Sequence, residues 1–147
     1  MGPGAARDAS RARGVASLIA FVDTNVLIRH LTGDPPGQAG RATAALPEAE
    51  QLLVTDVVFA ECVFVLESFY ETPPAQVAMT MRALLAMATV AVADRPVLLR
   101  ALEIYEQDRL HFAEAQLVAA AEASGVGRVL SFDKALKRAT SIAWWEP

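Results

Sequence analysis

The chain has 147 residues, of which 54% are hydrophobic, so it is long enough and apolar enough to bury the core of one domain. Its formal net charge of −4 excludes the basic balance typical of many nucleic-acid-binding domains, although bound cations reverse the charge of an acidic site. Cys62 is the only cysteine, which excludes an internal disulfide and is typical of a reducing, cytoplasmic location.

The N-terminal segment 1–14 consists mainly of Gly, Ala, Ser and Arg, and we expect a flexible tail there before a single domain at 15–147. A secretory signal is the alternative, because arginines precede the apolar stretch VASLIAFV at 15–22. That stretch is followed by DTNVL and not by a small-residue cleavage pattern, which favours a cytoplasmic protein. No apolar run approaches the roughly 18 residues that a membrane span needs, so no membrane association is expected.

Short apolar strands alternate with helical patterns along the rest of the chain. Strands are predicted at 18–22, 51–54, 90–93, 128–132 and 141–144. Helices are predicted at 38–46, 56–70, 74–87, 95–107 and 112–124, and a short helix opens at Asp133. This alternation indicates parallel β-α-β units, so the expected fold is a three-layer α/β/α arrangement around a mostly parallel central sheet.

Two acids follow predicted strands directly. Asp23 comes after the apolar run LIAFV, and Asp133 comes after RVLSF. The functional crevice of an open α/β sheet lies beyond the carboxyl ends of its strands, so both acids are candidates for a site. Thr24 and Asn25 prolong the polar patch after the first strand, which makes Asp23 the stronger candidate.

Two further acids interrupt helices that are otherwise apolar. Glu61 lies in VVFAECVFVL and Glu114 lies in HFAEAQLVAAA, and neither has a Lys or Arg within a helical turn. An unpaired buried charge costs several kcal/mol, so both carboxylates need compensation. The simplest hypothesis is that a shared cation compensates these charges. In this hypothesis the four acids converge on Mg²⁺ or Mn²⁺, which prefer oxygen ligands, and these acids are Asp23, Glu61, Glu114 and Asp133.

Taken singly, each acid has an ordinary alternative role. Asp133 is well placed to cap a helix, and Glu61 or Glu114 could lie on a narrow solvated stripe. The basic residues nearest to the acids in sequence are either solvated surface charges or contacts for an RNA phosphate backbone, and these are Arg29, Lys134, Lys137 and Arg138.

Four segments, in order, resemble the motifs of PIN-domain ribonucleases and, within that family, of the VapC toxins of toxin–antitoxin pairs. The resemblance covers 18–147. The segments are FVDTNVLIRHL with Asp23, VTDVVFAECVFVLE with Glu61, HFAEAQLVAAA with Glu114, and VLSFDKAL with Asp133. The third motif commonly carries Asp where this chain has Glu114, and Asp108 is a nearby acid that lies off the motif.

The resemblance implies a compact parallel-sheet fold and cleavage of RNA that depends on Mg²⁺ or Mn²⁺. It also implies a homodimer and a VapB-like antitoxin that inserts a segment into the acidic cleft. By the same resemblance, Asp23, Glu61 and Glu114 contact the metal, and Asp133 is either a ligand or a group that positions water. Thr24, Asn25 and Ser131 are expected to hold the carboxylates in place.

Three alternatives differ in class. A haloacid-dehalogenase-like phosphatase needs a second Asp where this chain has Asn25. A Rossmann-type regulatory module needs G-x-G-x-x-G after a strand, whereas GVG at 125–127 precedes one. A PIN domain that acts in RNA maturation or as a non-catalytic binding module stays open, because only genetic context separates it from a toxin.

Overall fold

Capping side chains set the starts of several helices in the computed structural model, which describes residues 18–147. Thr55 Oγ1 accepts a hydrogen bond from the N–H of Val58 at 3.2 Å, and Asp94 Oδ1 accepts one from the N–H of Val97 at 3.1 Å. The strands are β1 (Ile19–Phe21), β2 (Gln51–Leu53), β3 (Val90–Ala91), β4 (Arg128–Leu130) and β5 (Ala143–Trp145). The helices are α1 (Thr24–Thr32), α2 (Pro36–Ala45), α3 (Asp56–Ser68), α4 (Pro74–Ala86), α5 (Arg95–Asp108) and α6 (Phe112–Ser124).

Neither the helix α1 nor a short 3-10 helix, Leu46–Glu48, was predicted from the sequence. Thr24, Asn25 and Val26 have modest helix propensity, so the local sequence after the first strand indicates only a polar patch. The helix forms because Asp23 Oδ1 accepts a hydrogen bond from the N–H of Thr24 at 2.8 Å and because Leu27 and Ile28 are buried in the core. The segment predicted as a short helix after Asp133 is a 3-10 helix, Lys134–Arg138.

Every strand pair is parallel, which confirms the predicted α/β class with mostly parallel strands and helices in a PIN-like three-layer arrangement. The strands β1, β2 and β3 form one group, in which Ala20 pairs with Leu52 and Leu52 pairs with Val90. The strands β4 and β5 form a second group, and within residues 18–147 no strand pairing joins the two.

One hydrophobic core contains side chains from α1, α3, α4, α5 and α6, among them Leu27, Phe59, Met81, Leu102 and Val118. The strands contribute alternate residues to it, so Leu52, Val90 and Val129 are buried while their neighbours in sequence are more exposed. Among residues 18–147, no helix is both long enough and apolar enough to cross a membrane. The predicted tail, 1–14, and residues 15–17 of the predicted domain lie outside the described residues, so that domain division stays a prediction.

A two-pronged ion pair joins α5, α6 and the C-terminal segment. Arg100 Nε donates to Glu122 Oε2 at 2.8 Å and Arg100 Nη2 donates to Glu122 Oε1 at 3.0 Å, while the hydroxyl of Ser141 also donates to Glu122. The hydrogen bond from Arg100 holds the pKa of Glu122 below its ordinary value of 4.5. The charged form of Glu122 therefore stabilises the folded chain.

We expect Glu122→Gln to lower the melting temperature by about 2 to 4 °C near pH 7, because a partly exposed ion pair contributes on the order of 1 kcal/mol. The pKa of Glu122 is lower in the folded chain than in the unfolded chain. The ionised side chain therefore stabilises the fold fully at pH values above the unfolded pKa, and this stabilisation is lost as pH falls through the folded pKa. Thermal melts from about pH 7 to about pH 3 should show wild type and variant converging at the acidic end.

The matched control is Glu48→Gln, which changes an exposed acid in the 3-10 helix Leu46–Glu48. This control should melt like wild type across the same pH series, because surface substitutions away from such pairs have small effects. A deficit of Glu122→Gln that persists unchanged at acidic pH would contradict the electrostatic explanation.

Candidate functional site

The first part of the site lies where β1 ends and α1 begins. Val22 is buried and the next residue, Asp23, is exposed, so the carboxylate reaches the surface at the carboxyl end of the strand. Thr24 Oγ1 donates a hydrogen bond to Glu61 Oε2 on α3 at 2.5 Å. Thr24 thereby connects the start of α1 to Glu61, and it makes the contact expected of a residue that holds a site carboxylate.

The thiol of Cys62 lies beneath this first part of the site. Burial, together with the negative charges of Glu61 and Asp23, raises the pKa of Cys62 to about 12. The thiol is therefore protonated at neutral pH and is not a nucleophile. Thr24 contacts both carboxylates, because its N–H donates to Asp23 and its hydroxyl donates to Glu61, and we call Asp23 and Glu61 the first acidic pair.

Glu114 and Asp133 form a second acidic pair, and their carboxyl groups lie within hydrogen-bonding reach of each other. Partial burial raises the pKa of Glu114, and the Asp133 carboxylate raises it further. The N–H of Ala135, which donates to Asp133 Oδ1 at 2.9 Å, lowers the pKa of Asp133, and the Glu114 carboxyl lowers it further. Glu114 therefore takes up the shared proton before Asp133 does, and Asp133 also caps the 3-10 helix, as the alternative interpretation expected.

Packing of α3 against α6 connects the two pairs. The rings of Phe59 and Phe112 lie with centroids 5.5 Å apart, and each phenylalanine comes two residues before its acid, Glu61 or Glu114. Within residues 18–147 no group of three or more His, Cys, Asp or Glu side chains is close enough to hold a metal ion. The structure thus brings the four acids together as two pairs, and their convergence on one cation stays a prediction.

The expectation that Glu61 and Glu114 are buried is wrong. Glu61 is exposed and Glu114 is half-buried, and no charged side chain is buried among residues 18–147. The helix α3 is apolar on its outer face as well as its inner face, since Val57 and Phe64 are each 67% exposed on either side of Glu61. An apolar sequence around an acid therefore did not indicate burial here, and Glu61 needs no buried counter-charge.

The other predicted residues differ in how closely they approach the acids. Ser131 Oγ accepts a hydrogen bond from the N–H of Asp133 at 2.9 Å, as expected of a residue that supports this acid. The side chain of Asn25 is exposed at the start of α1. Lys137 and Arg138 have local structural contacts, because Lys137 Nζ lies 4.8 Å from the ring centroid of Trp144 and Arg138 donates to the Arg109 carbonyl.

A cleft of about 460 Å³ opens between α1 and α2, beside the first acidic pair. Arg29 lines it, as do two polar residues that the sequence analysis missed, Gln38 and Arg41. Gln38 and Arg41 are three residues apart in a predicted helix, and this spacing could have indicated that they share one face of it. The cleft is lined by Asn25, Val26, Arg29, Gln38, Arg41, Ala42 and Ala45.

Comparison with known proteins identifies a family. A family model described as PIN domain matches residues 20–141, a range that contains all four acids and most of the described chain. No curated protein matches the chain.

The aromatic contact between α3 and α6 has a direct test. We expect Phe59→Ala to lower the free energy of unfolding by about 3 to 5 kcal/mol, since it removes a fully buried ring. Phe64→Ala is the matched control on the same helix, and should change it by less than about 0.5 kcal/mol because that ring is exposed. Urea unfolding measures both, and equal losses would show that the Phe59 ring does not hold these helices together.

Proposed function

The chain belongs to the PIN domain family, whose fold is generally that of metal-dependent nucleases, and we propose that this protein is an endoribonuclease that cleaves RNA phosphodiester bonds. The observation that carries this proposal is the arrangement of Asp23 with Glu61 and of Glu114 with Asp133 on two packed helices and the strand ends beside them. Residues 15–147 are proposed to be one nuclease domain.

The residues fit a divalent cation. All four candidate ligands supply carboxylate oxygens, which Mg²⁺ and Mn²⁺ prefer, and none is buried away from a hydrated ion. Glu114 and Asp133 lie close enough to share a proton, and a cation is the other way to relieve the repulsion of two such carboxylates. We assign Asp23, Glu61 and Glu114 to metal contacts, and Asp133 as a ligand or as the group that positions water.

A bound Mg²⁺ or Mn²⁺ would lower the pKa of a coordinated water and neutralise charge that develops on the phosphate. The chain itself supplies orientation around those ligands. Thr24 holds one oxygen of Glu61 through its hydroxyl, and Ser131 fixes the turn from which Asp133 projects. Arg29 and Lys134, each near an acid in sequence, are proposed to meet the backbone of the RNA.

We further propose that the protein is the toxin of a VapBC-type pair, acting in the cytoplasm as a homodimer that a VapB-like antitoxin inhibits. The support is the order of the four motifs together with exposed apolar side chains beside the acids. Phe64 is 67% exposed on the same face as Glu61, and Phe132 is 74% exposed next to Asp133. Such side chains suit burial under a partner chain. A role in RNA maturation is the alternative.

We expect Asp23→Asn to abolish RNA cleavage, by at least about a hundredfold in rate, while the protein stays folded. The amide preserves the shape of the side chain but removes one charge that a cation needs. Incubation of purified protein with RNA and Mn²⁺, followed by mapping of the RNA ends, measures the loss. Glu48→Gln serves as the control and should cleave at the wild-type rate, since Glu48 lies in the 3-10 helix Leu46–Glu48 outside both pairs.

The same variants provide a readout that is independent of activity. Mn²⁺ should raise the melting temperature of wild type and Glu48→Gln, and raise that of Asp23→Asn and Glu61→Gln much less. Chelation with EDTA should stop cleavage by wild type. Cleavage that survives thorough chelation, or full activity in folded Asp23→Asn, would refute the metal-dependent assignment.

We expect production of the chain alone to arrest bacterial growth, and co-production of a small protein from the adjacent gene to relieve the arrest. The reason is that unrestrained cleavage of RNA stops translation, whereas a cognate antitoxin blocks the acidic site. Growth curves of wild type and Asp23→Asn measure the effect, and the variant should be harmless. If active wild-type enzyme leaves growth unchanged, the maturation role replaces the toxin role.

A further inference from the structure

The structure points to a nucleotide-binding subsite in the cleft between α1 and α2. We propose that this cleft holds one nucleotide of a single-stranded RNA, next to the bond that is cut, with Arg29 and Arg41 on its phosphate. The inference rests on the proposed function, because it takes RNA as the substrate. It goes beyond that function by naming where the strand runs as it leaves the acids.

The position of the cleft is the first argument. Asn25 lines the cleft and lies two residues after Asp23, in the first turn of α1. Arg29 follows one turn later on the same face of the helix. The cleft therefore begins within one helical turn of the first acidic pair, which is a suitable distance for a neighbouring nucleotide of the same strand.

The charge of the cleft is the second argument. Arg29 and Arg41 bring two positive charges to one small region of a chain whose formal net charge is −4. Within residues 18–147 neither guanidinium forms an ion pair, whereas Arg82 and Arg100 do. Two unneutralised guanidinium groups attract an anion, and their fork of donors fits phosphate oxygens.

The orientation of Arg29 is the third argument. Its Nε donates to the side-chain oxygen of Gln38, and its Nη1 donates to the carbonyl of Asn25 at 3.3 Å. These contacts hold the guanidinium across the cleft and leave its other N–H groups for a ligand. His30 Nδ1 and Thr43 Oγ1 lie 2.9 Å apart and connect α1 to α2, so the walls of the cleft keep their spacing.

The size and lining of the cleft give its ligand class. A volume of about 460 Å³ is large enough for a nucleotide. Val26, Ala42 and Ala45 supply an apolar surface against which a base or ribose can lie, while the amides of Asn25 and Gln38 can pair with base edges. The combination of a small apolar surface, amides and guanidinium groups fits a nucleotide better than a bare phosphate.

Binding of RNA in the absence of metal tests the inference without requiring cleavage. The probe is a fluorescein-labelled single-stranded oligoribonucleotide of mixed sequence, followed by fluorescence anisotropy in EDTA over a series of salt concentrations. Arg29→Gln and Arg41→Gln should each weaken binding about tenfold or more, because each removes a charge-assisted contact. The slope of log K against log salt should become shallower by about 0.7 for each lost phosphate contact.

Two further variants make the test specific. Arg128→Gln is the matched control, since this exposed arginine starts β4 at the opposite end of the strand from the acids, and its Kd should change less than about twofold. Gln38→Glu places a carboxylate against Arg29 and should weaken binding without unfolding the chain. If Arg29 had a purely structural role at the end of α1, Arg29→Gln would lower the melting temperature but leave the salt dependence of RNA binding unchanged.

The outcomes separate the cleft from the proposed function. If Arg29→Gln and Arg41→Gln bind the RNA as tightly as wild type does, the proposal that the cleft binds a nucleotide is refuted, whether or not the protein cleaves RNA. Weaker binding by these variants, together with no cleavage by wild type when Mn²⁺ is added, supports the cleft and refutes the nuclease. Absence of RNA binding by wild type overturns the inference, even if another nucleic acid is cleaved.

Discussion

The contact between Phe59 and Phe112 is the interaction on which the arrangement of the candidate site depends. Both rings are buried, and each anchors a helix whose acid comes two residues later. Because packed cores resist changes in volume, this contact fixes the separation of α3 and α6 and therefore of Glu61 and Glu114. A hydrogen bond from Thr24 then holds Glu61 in the first pair, while in the second pair the neighbouring carboxyl groups raise the pKa of Glu114 and lower that of Asp133.

The charges of the molecule are distributed in a way that its net charge conceals. Four acids lie at the ends of strands and on two packed helices, while Arg29 and Arg41 line the adjacent cleft. A polyanion that approaches a chain with net charge −4 is repelled overall but is attracted locally by such a cleft. An RNA substrate would then depend on the cleft and on bound cations together, because neither alone neutralises its backbone near the acids.

Much of the fold followed from local patterns, and the places where prediction failed have particular physical causes. The helix at 112–124 was predicted with its observed limits because Gly125 ends it in a left-handed conformation with φ of 78°. The helix α1 was missed because its stability comes from the Asp23 cap and from burial of Leu27 and Ile28, which local propensity does not report. Glu61 was expected to be buried because its neighbours are apolar, yet Val57 and Phe64 are themselves exposed.

The sequence by itself determined the alternation of strands and helices apart from α1, the parallel α/β class and the identity of the four candidate acids. These follow from residue types and spacing along the chain, since periodicity and capping act over a few residues. Only the tertiary structure decided that the acids form two pairs and that Gln38 and Arg41 share a cleft with Arg29. Such proximities depend on how helices pack across long sequence separations, and side-chain packing in the core fixes that geometry.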